Sequence, residues 1–98
     1  MSDSDDRSAY QRKYEARLDE LRARIDQVQA KMRAASADKE IDYRQRLEEL
    51  RQKRDALAGR LKEMRDAGQE SWSQLRQGVE RAANDLEAAW RAAKDKLK

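Results

Sequence analysis

Large apolar residues recur along most of this chain in steps of four and three positions. They occupy positions 14, 18, 21, 25, 28 and 32, and then positions 43, 47, 50, 57, 61 and 64. Steps of this size align apolar side chains in one narrow stripe along a helix, as in helices that pack against another helix. We call this stripe the seam. It predicts an all-α fold.

The apolar period lengthens to 11 residues in the last third of the chain. Two series follow this spacing: Leu75, Leu86 and Leu97, and Val79 and Trp90. An 11-residue repeat corresponds to about 3.67 residues per turn, which is close to a straight helix. The pattern predicts a C-terminal amphipathic helix over residues 71–97.

Capping residues indicate where the first helix begins. Ser8 and Gln11 have the spacing of a capping box, and acidic residues precede them, where negative charge favours a helix N-terminus. We therefore expect a disordered acidic tail over residues 1–7 and a helix from residue 8 onward.

A glycine and a serine indicate where this helix ends. Gly68 is a typical helix stop, and Ser71 can form a second capping box with Gln74. The prediction is a long coiled-coil helix over residues 8–67, followed by the amphipathic helix. The alternative is one continuous helix with a stutter, since positions 64, 68, 72 and 75 lie on one face.

A second candidate break lies over residues 34–38, where the apolar pattern lapses between Met32 and Ile41. The segment holds neither glycine nor proline, and its alanines favour helix. The step of 11 residues from Met32 to Tyr43 also fits an unbroken helix. We therefore favour continuity, which makes the fold a helical hairpin or coiled coil. The alternative, with both breaks present, is an antiparallel three-helix bundle.

The supply of large apolar side chains is small. Hydrophobic residues make up 38% of the 98 residues, and many of them are alanines. A chain of this kind completes its burial by folding back, by self-association, or by both. We therefore expect a homo-oligomer or a helical protein partner. The positions expected at helix–helix interfaces are Leu18, Leu21, Ile25, Val28, Leu47, Leu50, Leu57, Leu61, Met64, Trp72, Leu75, Val79, Leu86 and Trp90.

Charge is abundant but mixed in sign. Charged residues make up 44% of the chain, and 23 basic and 20 acidic residues leave a net charge of +3. Nucleic-acid binding needs cations gathered on one face, so this mixture argues against it. Trp72, Trp90 and the closing lysines suggest an alternative function, a peripheral membrane or lipid-surface factor that uses the C-terminal helix.

The residues that most often carry catalysis or bind zinc are missing. The chain has no histidine and no cysteine, and its three glycines are isolated from one another. These absences argue against an enzyme, and we assign no catalytic, cofactor-binding or metal-binding residue. The chain shows neither a secretory signal nor a long apolar run, so a cytoplasmic location is expected.

Three segments resemble a known group of proteins. They are Tyr10-Gln-Arg-Lys, Asp42-Tyr43 with Leu47 and Leu50, and Ser71-Trp72-x-x-Leu75-x-x-Gly78-Val79-Glu80. Over residues 10–97 the chain resembles short bacterial coiled-coil domain-containing proteins, some of which are described as stress-response proteins. That family often has a second tryptophan where this chain has Ala83. The resemblance implies a bacterial, cytosolic, non-enzymatic protein with a link to stress.

These observations together lead to a functional expectation. We expect a non-enzymatic helical interaction protein that self-associates through its heptad and 11-residue seam.

Overall fold

The chain folds into three helices that pack side by side. The computed structural model describes residues 3–96, with side chains except at positions 3–5 and 69. The helices are α1 (Asp3–Arg33), α2 (Ala37–Asp66) and α3 (Gln69–Lys96), and residues 3–96 contain no strand. The bundle measures 53 × 19 × 18 Å, with α2 antiparallel to both α1 and α3. The all-α prediction is confirmed, and the three-helix alternative describes the fold.

The favoured prediction of a continuous helix over residues 8–67 is wrong. The backbone N–H groups of Ala34 and Ala35 donate to the carbonyls of Lys31 (3.2 Å) and Met32 (3.1 Å), which tightens the last turn of α1. Ser36 then adopts an extended conformation with φ −66° and ψ 161°, and α2 follows. Local helix propensity is a weak preference, and the burial gained by folding α1 back onto α2 and α3 outweighs it.

The second break lies close to its predicted position but has a different origin. Ala67 is extended, with φ −77° and ψ 149°, and its N–H donates to the Met64 carbonyl (3.4 Å). No glycine among the described residues has a positive φ, so Gly68 does not act as a left-handed helix stop. The helix α3 begins at Gln69, which places Ser71 inside it rather than at its cap.

The first helix begins earlier than predicted. It starts at Asp3, so residues 3–7 are helical rather than part of a disordered tail, and Ser8 lies within α1. Positions 1 and 2 of the expected tail, and position 97 of the expected C-terminal helix, lie outside the described residues.

The seam residues of all three helices meet in one hydrophobic core. Eleven of the expected interface residues are buried: Leu18, Leu21, Ile25, Val28, Leu47, Leu50, Leu57, Leu61, Met64, Val79 and Leu86. Tyr43, Ala83 and Ala93 complete the buried set. Ala83 and Ala93 on α3 are fully buried, so small side chains also contribute to the core. This explains how a chain with few large apolar residues builds a core of its own.

Candidate functional site

Two clusters of aromatic and basic side chains lie at the rim of the core, one towards each end of the bundle. The first, which we call the Tyr10 cluster, consists of Tyr10, Tyr14, Trp72, Arg76 and Glu80. The Tyr10 ring lies 4.7 Å from the Tyr14 ring and meets the Trp72 ring edge-on at 5.4 Å, measured between centroids. The Arg76 guanidinium lies 4.9 Å from the centroid of the Tyr10 ring. The cluster joins the N-terminal parts of α1 and α3.

Hydrogen bonds within the Tyr10 cluster keep its charges in place. The Tyr10 hydroxyl donates to Glu80 Oε1 at 2.9 Å, and Arg76 Nε donates to the same oxygen at 3.2 Å. These two donors hold the pKa of Glu80 below its ordinary value, while burial and the Glu80 acceptor raise the pKa of Tyr10. The hydroxyl therefore stays protonated and the carboxylate charged near neutral pH. The cluster links α1 to α3. The pKa of Tyr10 is raised and that of Glu80 is lowered, so neither side chain is suited to proton transfer near neutral pH.

The second cluster surrounds a shallow groove of about 240 Å³ near the C-terminal ends of α1 and α3. We call it the Trp90 groove and define it by six of its lining residues: Arg24, Val28, Lys31, Tyr43, Trp90 and Lys94. All three helices contribute to it. Val28 and Tyr43 are buried beneath it, and Trp90 is half-buried. The groove therefore has an apolar and aromatic floor.

Cations surround the tryptophan of this groove. The Arg24 guanidinium lies 4.4 Å from the Trp90 ring centroid, and Lys94 Nζ lies 5.3 Å from it. Both distances are within the range of cation–π attraction. Lys31 is exposed at the rim, and no aspartate or glutamate lines the groove.

Arg24 differs from most arginines among the described residues in having no ion-pair partner, and none of the described lysines forms an ion pair. Arg17 pairs with Glu87, Arg44 with Glu40 and Arg76 with Glu80. Within the described part of the chain, none of Arg24, Lys31 and Lys94 forms an ion pair. The groove thus brings together three cations with no acidic residue in its lining.

The connection between α1 and α2 is a third notable feature. Only Ala34, Ala35 and Ser36 separate the two helices. Ser36 occupies the N-cap position of α2, yet its side chain makes no capping hydrogen bond. The connection is therefore short and lacks glycine and proline. The Ser36 side chain does not stabilise it with a capping hydrogen bond.

The predicted interface residues are distributed between the core and these rim clusters. Trp72 belongs to the Tyr10 cluster and Trp90 to the groove, and both pack against the core with Leu75 while staying partly exposed. Neither cluster was predicted from the sequence. The spacing of four residues places Trp90 and Lys94 on the same face of a helix, which the sequence shows. The contact between Arg24 and Trp90 depends on α1 lying beside α3.

Two other features are absent from the part of the chain that the structure describes, a metal-ion site and a membrane-spanning helix. Residues 3–96 contain no group of three or more acidic, histidine or cysteine side chains able to bind a metal ion. Among those residues, no helix has the length and apolar character needed to cross a bilayer. Comparison of the chain with protein-family models, curated proteins and solved structures finds no match.

Proposed function

We propose that this protein is a non-enzymatic helical interaction protein that self-associates through its seam by exchanging α1 between two copies. In the exchanged dimer, α1 and α2 of each chain form one continuous helix, and α1 packs on α2 and α3 of the other copy. The observation that carries the proposal is the connection between α1 and α2, which is nearly helical already.

Joining the two helices requires little change in the backbone. Ala34 and Ala35 make hydrogen bonds back into the last turn of α1, and the Ser36 carbonyl already accepts a bond from the N–H of Glu40 (2.9 Å). The φ of Ser36 is −66°, a helical value, so the main change is a rotation of its ψ away from 161°. Alanine is the best helix former, which favours the joined state.

Exchange also preserves the packing of the closed bundle. The core residues of α1, such as Leu21 and Ile25, would meet the same residues of α2 and α3, now supplied by a second copy. Domain swapping of this kind needs no new interface, since identical elements trade places. The seam step of 11 residues from Met32 to Tyr43 is also compatible with one continuous helix.

No observation favours the membrane-surface alternative to the same degree. The apolar residues of α3 that would enter a lipid interface include Val79 and Leu86, and both are 0% exposed in the core. Binding lipid would require α3 to leave the bundle. The resemblance to bacterial stress-response proteins is compatible with self-association but supplies no stress signal.

Two neighbouring substitutions test the exchange in opposite directions. Ala37→Pro places proline at the first position of α2, where its missing N–H costs nothing, and the extended Ser36 before it suits proline. The same proline inside a joined helix would cost about 3 kcal/mol. Ser36→Ala removes no capping hydrogen bond, because the serine side chain makes none, and its higher helix propensity favours the joined helix by a few tenths of a kcal/mol.

Sedimentation velocity, recorded after refolding at a range of protein concentrations, measures the oligomeric state of each variant. We expect wild type to form a dimer, Ala37→Pro to weaken dimerisation by at least about 100-fold, and Ser36→Ala to strengthen it. Ser73→Ala, an exposed serine inside α3, is the matched control and should behave as wild type. The proposal fails if wild type and Ser36→Ala stay monomeric throughout. A dimer that Ala37→Pro leaves intact would show self-association by another route.

A further inference from the structure

We infer that the Trp90 groove is a docking site for an acidic segment of a partner protein. The inference goes beyond the proposed self-association, because every residue of the groove comes together within one closed bundle. It rests on three features: three cations that converge with no acidic residue in the lining, the apolar floor and the size of the groove.

The charges of the groove are complementary to carboxylates. Arg24, Lys31 and Lys94 come from two different helices and converge on one opening without an acidic neighbour in the lining. Two of them are already positioned by contact with the Trp90 ring. Cations that are positioned in advance lose less side-chain freedom on binding than mobile surface lysines do.

The floor adds an apolar contribution. Val28, Tyr43 and Ala93 lie buried below the rim, and the exposed part of Trp90 forms one wall. Tryptophan and arginine are enriched among the residues that contribute most to protein interfaces. A segment carrying both acidic and apolar side chains fits this combination better than a purely charged ligand.

The dimensions of the groove favour side chains over an enclosed small molecule. Its volume of about 240 Å³ lies below the range of roughly 300–1,000 Å³ typical of small-molecule sites. One or two side chains of a peptide or helix would fill it. The rest of the partner segment would then lie across the exposed rim.

The surroundings of the groove disfavour extended anionic surfaces. Asp42 and Asp95 are exposed and directly adjoin the groove residues Tyr43 and Lys94 in sequence. A nucleic acid or an anionic membrane presents many negative charges over a wide area and would meet these carboxylates. A single peptide segment can contact the groove cations without contacting the acidic residues around them.

The test uses a fluorescein-labelled synthetic peptide with glutamate and leucine on one helical face, and a version with lysine in place of glutamate. Fluorescence anisotropy measures binding to the wild-type chain and to Ala37→Pro. The indole N–H signal of Trp90, assigned by comparison with Trp72→Phe, reports the position of binding by NMR. The groove variant is Lys94→Glu. Its control is Lys39→Glu, which makes the same charge change at an exposed residue outside the groove.

We expect the glutamate peptide to bind both proteins, to shift the Trp90 indole signal and to bind more weakly as salt is added. Lys94→Glu should weaken binding by about tenfold or more, and Lys39→Glu by less than about twofold. Binding to Ala37→Pro separates this inference from the proposed exchange, since the groove persists when exchange is blocked.

Three results would overturn the inference. The first is no binding of the glutamate peptide at low ionic strength, and the second is equal weakening by Lys94→Glu and Lys39→Glu. The third is that phosphatidylserine vesicles or duplex DNA bind with the same dependence on Lys94 while the peptide does not. That last result would assign the groove to an anionic surface instead.

Discussion

At the scale of single residues, adjacent positions in this chain have opposite environments. Leu61 is 3% exposed and lies in the core, while Lys62 beside it is exposed on the outer surface of α2. The backbone carbonyl of Leu61 also accepts a hydrogen bond from Gln11 Nε2 at 3.3 Å. A side-chain truncation at position 61 leaves that bond in place, so its effect reports packing.

This contrast leads to a prediction for two truncations. Leu61→Ala should lower the free energy of unfolding by about 2–5 kcal/mol, since it removes buried methyl groups and leaves a cavity. Lys62→Ala should change it by no more than about 0.5 kcal/mol. Guanidinium denaturation followed by circular dichroism measures both. Equal midpoints would show that the seam periodicity does not correspond to packing.

At the scale of helices, two glycines lie at positions where the backbone conformation does not require glycine. Gly59 lies inside α2 and Gly78 inside α3, and neither has a positive φ. A Cβ at Gly59 would meet nothing within 4 Å, and one at Gly78 would lie 3.5 Å from Arg60 Cδ, an ordinary contact. Both helices can therefore accept a better helix former at these positions.

We accordingly predict that Gly59→Ala stabilises the protein by about 0.5–1 kcal/mol, because glycine loses more backbone entropy in a helix than alanine does. Ala56→Gly is the matched reverse change. Ala56 is an exposed residue inside the same helix, so this substitution should destabilise the protein by a similar amount. Thermal melts compare both variants with wild type, and a Gly59→Ala variant no more stable than wild type would contradict the prediction.

At the scale of the whole molecule, the closed bundle and the exchanged dimer differ in length. The closed bundle is 53 Å long, with a radius of gyration of 15.8 Å for its Cα atoms. A continuous helix over residues 3–66 would extend about 96 Å at about 1.5 Å per residue. Exchange therefore nearly doubles the longest dimension of the particle.

Small-angle X-ray scattering over a concentration series tests this difference. We expect a maximum dimension near that of the closed bundle in dilute solution and one near 100 Å as the dimer forms. Ala37→Pro should keep the shorter dimension at every concentration. A dimer that stays as short as the closed bundle would indicate side-by-side docking of closed bundles and would contradict exchange.

The sequence by itself determined the all-α class and eleven of the positions that the core buries. Both follow from the 3.6-residue period of the helix, because that period appears directly in the spacing of apolar residues along the sequence. The seam positions Leu21, Leu47 and Leu57 were identified in this way, and each is almost fully buried. The break between α1 and α2 was not the favoured prediction, because the alanine-rich segment over residues 34–38 has a high local helix propensity.

Only the tertiary structure decided whether the chain folds back at Ser36 and which side chains then meet. Folding back buries apolar surface between segments that are far apart in sequence. The free energy gained by this burial outweighs the preference of a few alanines for helix. The contact of Arg24 with Trp90 and the bond from Tyr10 to Glu80 both join α1 to α3. No spacing along the chain predicts them, since they arise from the lateral packing of two helices that are separated by a third in sequence.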